Sequence, residues 1–338
     1  LDLNYLDLDL SKYPENEHTP LTVDGKLLGL SVSETGYVFY LNRVVFDAFD
    51  IDPESIKTWS DLIAAGEKMQ GTNQYALGRM DAQQVAILMF SYLSQMTGKN
   101  VISENNTLNF TQQELQMGFA FINTLRNNNV LIPTNANDTH NDGPTNPNWM
   151  THQRYGGVLQ WNTAISEYAN TLPGGQDSLV MAGMFQQEEG QQLGMYKKVS
   201  MAYAVSRRVE ASDVKKDAVK TFLEFMTTDP EALAILGVDR GVTNHSESQS
   251  FLRNLDDGRL TQTLEWKGHE LVQQYYQNQL SQPDFEDLYI HPYYEHDTFR
   301  RVYEGPIERF LLGNNTAAQA IQSIINNFNK ELENVMRG

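Results

Sequence analysis

The residues best suited to chemistry in this chain are aromatic and amide-bearing rather than nucleophilic. Trp161 follows "YGGVLQ" and precedes Asn162 and Thr163, so a large flat ring stands at the end of a short strand beside amide and hydroxyl groups. Such a ring can carry the C–H face of a pyranose while the amides bind its hydroxyls. A half-buried structural Trp would give the same local sequence, and the residues alone leave both readings open. Trp59 and Trp266 sit in helical patterns, where core packing is their expected role.

Other groupings are weaker. "HPYYEHD" offers His291, Glu295, His296 and Asp297, but Pro292 interrupts the helix that would put His291 and Glu295 on one face as zinc ligands. An aromatic, polar surface fits that stretch better. "DTHNDG" opens like a calcium loop from Asp138, with His140, Asp142 and Gly143 in step. The closing position that needs a bidentate Glu is Trp149. No metal or other cofactor is expected. Neither GxxxxGK[ST] nor a strand-linked GxGxxG occurs, so nucleotide enzymes are set aside. No G-x-S-x-G or H-E-x-x-H marks a reacting group. A glycosidase built on two carboxylates has no such signature, and 43 acidic residues leave it open as an alternative.

Composition narrows the partners. The balance of 25 basic and 43 acidic residues gives −18, which repels phosphate backbones and acidic membranes, so nucleic acid is not expected. There is no cysteine, which removes disulfides, thiolate metal sites and cysteine nucleophiles within the chain. No apolar run approaches the roughly 18 residues of a membrane span, and "LDLNYLDLDLSKYPENEH" is not a signal peptide.

Helices must position most of these residues. Thr58 with Asp61 and Thr111 with Glu114 have capping-box spacing. Asp229-Pro230 restarts a helix that Gly237 closes. "DAVKTFLEFMTT" is apolar around much of its circumference, which predicts deep burial. A last helix from Thr316 turns Ile321, Ile324, Ile325, Phe328, Leu332 and Val335 inward. Strands are expected at Lys26–Leu30, Tyr37–Leu41, Gly157–Gln160 and Val199–Val205, giving α/β layers. Polar loops are expected at Ile132–His152 and Gly183–Gly194. Between the first two strands, Ser33-Glu34-Thr35-Gly36 is a polar pause: an ordinary bend, or a passage from one lobe to another.

The order of elements resembles the extracellular solute-binding proteins of bacterial ABC transporters, in the carbohydrate-binding branch that includes maltose-binding protein. The stretches that carry the likeness are "VDGKLLGLSVSETGYVFYLNRVVFDAFDIDPESIKTWSDL", "YGGVLQWNTAI", "SMAYAVSRRVEASDVKKDAVKTFLEFMTTDPEALAILGVDRGVTNHSE" and "LLGNNTAAQAIQSIINNF". None is specific alone; their order over most of residues 18–330 makes the case. The resemblance implies an α/β, two-lobed periplasmic-binding-protein-like fold of type II. Residues 1–35 and 204–288 would form lobe 1, and 36–203 and 289–338 lobe 2, with a ligand cleft between them. Relative to the family, lobe 1 is incomplete at its start, so Leu1 would be an internal point of a longer protein.

The same resemblance implies function and site. The chain would be the substrate-binding component of an ABC importer and not an enzyme. It would capture a carbohydrate, an oligosaccharide, by hinge closure and deliver it to membrane permease subunits. It would act as a monomer outside the cell, tethered as a lipoprotein or free in a periplasm. Trp161 matches the family's stacking position, with Asn162 beside it. Glu34 and Thr35 lie at the first crossing, and Asp81 and Gln83 in a lobe 2 loop that faces ligand. Arg240 matches a lobe 1 turn, with a surface ion pair as its plainer role. Tyr294 and Phe299 are candidates for a second aromatic wall, although helical spacing to Tyr303 and Phe310 favours a core role for Phe299. A same-fold receptor for a non-sugar ligand and a sensor that docks on a membrane receptor are the remaining alternatives.

Overall fold

The computed structural model describes residues 1–14, 17–134 and 143–337. The calcium-like stretch therefore lies, apart from Gly143, outside the described residues. Two compact units arise from interleaved chain: unit 1 is Leu1–Gly36 with Lys197–Leu271, and unit 2 is Tyr37–Tyr196 with Val272–Gly338. The expected first boundary followed residue 35, and the chain changes unit one residue later. The second change comes at Tyr196/Lys197 instead of 203/204, and the third at Leu271/Val272 instead of 288/289.

Six strands are described: β1 (Thr22–Val23), β2 (Lys26–Leu27), β3 (Leu30–Asn42), β4 (Gly157–Trp161), β5 (Leu179–Gly183) and β6 (Lys197–Tyr203). β1 and β2 form a hairpin around Asp24 and Gly25, whose φ of 52° and 73° are the left-handed pair that an Asp-Gly turn supplies. All the strand pairings are antiparallel.

β3 corrects the sequence reading. It does not pause at Ser33-Glu34-Thr35-Gly36 but runs for 13 residues across the unit boundary. Its first half, Leu30 to Gly36, pairs with β6 in unit 1, with register shifts around Ser33. Its second half pairs with β4 and β5 in unit 2. The polar residues remain in the strand because Ser31, Ser33 and Glu34 find partners within unit 1. The Ser31 hydroxyl donates to Glu17, the Ser33 hydroxyl to the Arg240 carbonyl at 2.8 Å, and the Lys197 ammonium to Glu34 at 2.7 Å.

Unit 1 is held by two small apolar clusters. Leu3, Leu6, Leu27, Leu30 and Leu223 form one; Leu233, Val242, Leu252 and Trp266 form the other. The helix Asp213–Thr228 departs from expectation. Only Leu223 and Thr227 are buried, while Val214 is 80% and Phe222 56% exposed. Its pattern promised two buried faces, and the unit covers one. The next helix, Pro230–Leu236, forms as expected, with Asp229 capping its first amides and Gly237 ending it at φ 53°.

Unit 2 has the larger core. Both expected capping boxes are present, at Thr58/Asp61 and Thr111/Glu114. The helix Ala82–Thr97 is buried on nearly all sides. The final helix Ala317–Arg337 buries Ile321, Ile324, Phe328 and Leu332, with Ile325 and Val335 half-buried. The loop after β5 is less polar than its sequence suggested: Met184, Phe185 and Gln186 are all buried. The Gln186 amide pins that loop, donating to the carbonyls of Met184 at 2.6 Å and Leu193 at 3.1 Å. The end of the other expected loop folds into a turn of helix, Pro147–Met150, that buries Trp149.

Candidate functional site

In unit 2 the pairing of β3 with β4 sets Tyr37 directly opposite Trp161. Their rings stack at 3.7 Å between centroids and 28° between planes. Trp161 is half-buried, whereas Tyr37 is only 5% exposed and acts as its backing. The Tyr40 hydroxyl donates to the Trp161 carbonyl at 2.5 Å, which fixes the strand end. Asn162, the next residue, is buried at the start of a short 3-10 turn.

The helix Ala82–Thr97 begins beside this pair. Asp81 is its N-cap, accepting from the Gln84 amide at 2.7 Å, and the Gln84 side chain returns a bond to the Asp81 amide. The Gln84 amide group also donates to the Leu159 carbonyl in β4 at 3.0 Å, tying the helix start to the strand that ends in Trp161. Gln83, half-buried, points its amide at Glu295 with a long contact of 3.4 Å. Asp81, Gln83, Asn162 and Trp161 are thus brought to one region of unit 2.

Tyr294 and Phe299 are not part of an accessible wall. Tyr294 stacks on Tyr303 at 4.5 Å, and Phe299 packs edge-on against Tyr303 and Phe328; both are fully buried. Apolar neighbours on the closing helices claim both rings, so each corrects the expectation of a second platform. Burial raises the Tyr294 phenol far above its ordinary pKa. The nearby metal grouping also dissolves. His291 contacts Asn106 at 3.1 Å, and among the described residues no cluster of His, Asp and Glu could hold an ion.

The remaining site candidates lie in unit 1. Glu34 and Thr35 are buried in β3, with Glu34 engaged to Lys197. Arg240 is exposed; its carbonyl serves Ser33, and it lines a cavity of about 30 Å³ with Val32, Tyr203 and Thr243. Behind β3 stands a group that no spacing announced. Glu17 is buried, hydrogen-bonded by Ser31 and by Asn244 at 3.0 Å. Burial, then the charge of Glu34, push its carboxyl up to about 7. Burial alone drives the His18 imidazole down to about 4, and it is the main cause that takes His269 to about 4.

Sequence reasoning missed Tyr37 as the partner of Trp161, because that follows from strand register alone. It weighed Glu295 only as a metal ligand. Glu17 and Lys197 carry no motif at all.

Comparison with known proteins gives this arrangement a context. The arabinooligosaccharide-binding protein of Bacillus subtilis is 23% identical over 137 residues, a stretch that covers 40% of this chain and 31% of that protein. A periplasmic oligogalacturonide-binding protein from Yersinia enterocolitica, solved with saturated digalacturonic acid, shares the fold. Its TM-score is 0.81 at 21% identity, over 99% of this chain and 80% of that one. A de novo designed cysteine esterase superposes equally well, with a TM-score of 0.81 at 20% identity over 99% of this chain and 80% of its own. The fold therefore does not choose between binding and catalysis, although a chain without cysteine cannot share that esterase's nucleophile. The family described as bacterial extracellular solute-binding protein matches residues 1–248, most of the chain. This protein belongs to the bacterial extracellular solute-binding proteins.

Proposed function

We propose that this chain captures an oligosaccharide outside the cell membrane and passes it unchanged to the permease subunits of an ABC importer. The observation that carries the sugar reading is the Trp161–Tyr37 stack at the end of β4. A backed indole with one side at water is a surface for a pyranose or furanose ring. Asp81, Gln83 and Asn162 would serve its hydroxyls. In unit 1, taken by itself, Glu34, Thr35 and Arg240 remain the proposed ligand contacts. Capture and release by hinge closure would act through the three passages between units, Gly36–Tyr37, Tyr196–Lys197 and Leu271–Val272. Work as a lipid-tethered monomer belongs to the same proposal. Among the described residues no helix is long and apolar enough to cross a membrane.

The test is calorimetric titration with mono- and oligosaccharides, followed by chromatography of the recovered ligand. Saturable binding of one sugar class with intact recovery is expected. Trp161→Ala should weaken it about tenfold or more, the loss of one stacked ring being worth roughly 1.4 kcal/mol. Recovery of shortened sugar would replace the receptor with a glycosidase.

A further inference from the structure

We propose a second, smaller binding site in unit 1, built around His245, that takes one uncharged sugar ring. It shares no residue with the Trp161 platform of unit 2.

A cavity of about 290 Å³ opens between three segments of unit 1. They are residues 8–13, the end of the helix Asp213–Thr228 and the start of the helix Ser246–Asn254. At about 30 Å³ per water the space equals roughly ten waters, enough for a single ring and short of an oligosaccharide. Two contacts tie its walls together. The Ser246 amide donates to the Lys12 carbonyl at 2.8 Å, and the Lys12 ammonium lies 2.7 Å from the Glu247 carboxylate. Leu30, Thr227 and His245 are buried and make the floor, whereas Asp9, Glu224 and Thr228 are exposed at the rim.

His245 is the residue that points to a ligand. Only 5% of it is exposed. It caps the helix Ser246–Asn254, its Nδ1 accepting from the Ser248 amide at 3.2 Å, which puts the proton of the neutral ring on Nε2. Burial holds the imidazole below its ordinary pKa, against the pull of Glu247 and Asp9, so the ring is neutral at pH 7. The Tyr13 ring meets it in a T-shaped contact at 5.2 Å. Among the described residues nothing accepts a hydrogen bond from Nε2. A donor without an acceptor, on an enclosed side chain that lines an open cavity, marks the place of an absent partner.

The lining chooses the chemistry of that partner. Lys12 is its one cation among the described residues and is paired with Glu247, so an anion would meet Asp9 and Glu224 without compensation. A cation is opposed by Lys12 at the same rim, and Glu224 already has Lys220 at 3.8 Å. A bare metal ion is not served, since no described cluster of His, Asp and Glu could hold one. The rim therefore offers acceptors and the floor one donor. A sugar ring is the complement: its hydroxyls donate to carboxylates in charge-assisted bonds, and one of its oxygens accepts from the His245 Nε2–H. Its C–H face covers Leu8 and Leu30.

The experiment is titration of the full chain and of its Trp161→Ala variant at pH 7 with glucose and arabinose, and with glucosamine and glucuronate as charged probes. A neutral sugar should bind saturably, and that binding should survive Trp161→Ala. His245→Asn keeps an N-cap acceptor for the Ser248 amide and removes the Nε2–H. It should weaken this binding about tenfold. Asp9→Asn can still accept the Ser11 amide and should weaken it less. Should His245→Asn fail to fold, Asp9→Asn at the exposed rim carries the test. Binding of single sugars that vanishes with Trp161→Ala overturns the second site and leaves the carbohydrate receptor standing. Binding untouched by both unit 1 variants overturns it as well, as does a preference for glucosamine or glucuronate over the neutral rings. No binding of either neutral sugar also overturns it, while the oligosaccharide reading keeps its own titration.

Discussion

The two halves of β3 bury themselves by opposite means. From Tyr37 to Leu41 the strand presents Tyr, Val, Phe, Tyr and Leu, all enclosed by the apolar and aromatic core of unit 2. Phe39 packs between Phe185 and Trp59. From Ser31 to Thr35 the same strand buries Ser31, Ser33, Glu34 and Thr35 in unit 1, where hydrogen bonds and one ion pair replace apolar contact. Apolar burial tolerates repacking and is indifferent to pH. Polar burial depends on every partner being present, because a single orphaned charge costs more than the pair contributes.

That contrast can be broken at three points. The largest effect is expected in the apolar half: Phe39→Ala should lower stability by about 3–5 kcal/mol, read as a fall in the urea midpoint that is the same at pH 5 and pH 8. In the polar half, Glu34→Gln should cost about 3 kcal/mol by removing the carboxylate to which the buried Lys197 ammonium donates. Adding Lys197→Met should recover at least half of that loss. If the double variant is no more stable than the single, the pair is not what holds this half together.

The smallest effect separates the halves by pH. Glu17 has a folded-state pKa of about 7 against an ordinary 4.5, so the folded chain holds a proton that the unfolded chain has lost. Its contribution is complete below about pH 4.5 and disappears as pH rises through 7. His18 and His269 run the other way. Each is lowered from 6.5 to about 4, so their contribution is present above 6.5 and is lost as pH falls through 4. The stability of unit 1 should therefore peak near pH 6.5. Glu17→Gln should gain about 2 kcal/mol on the wild type between pH 5 and pH 8, measured by urea unfolding at both values. An unchanged difference would mean that Glu17 is ionised in the folded protein.

Local grammar was the legible part of this chain. Capping boxes and the Asp-Pro helix start depend on residues within a few positions of one another, and all stand where the sequence places them. The polar stretch of β3 was not legible, since its partners Glu17, Lys197 and Arg240 include two that are more than 160 positions away. Burial around the helix Asp213–Thr228 was over-read for a related reason: an apolar pattern states what a surface would prefer, not what the fold supplies against it. Trp161 was legible as a strand-end ring beside amides. Tyr37 was not, because only pairing reveals what lies opposite. Tyr294 and Phe299 show the reverse error, in which aromatic residues near a suspected site belong to the core behind it.

The stacked pair has an optical consequence. Trp59, Trp149 and Trp266 are buried, so Trp161 alone among the four indoles meets water. A neutral quencher such as acrylamide should dim one emitter and spare three. Tyr37, at 3.7 Å, will hand its excitation to that same emitter and couple to its ultraviolet transitions. The native chain thus carries its own gauge of what settles on the ring, with no dye attached.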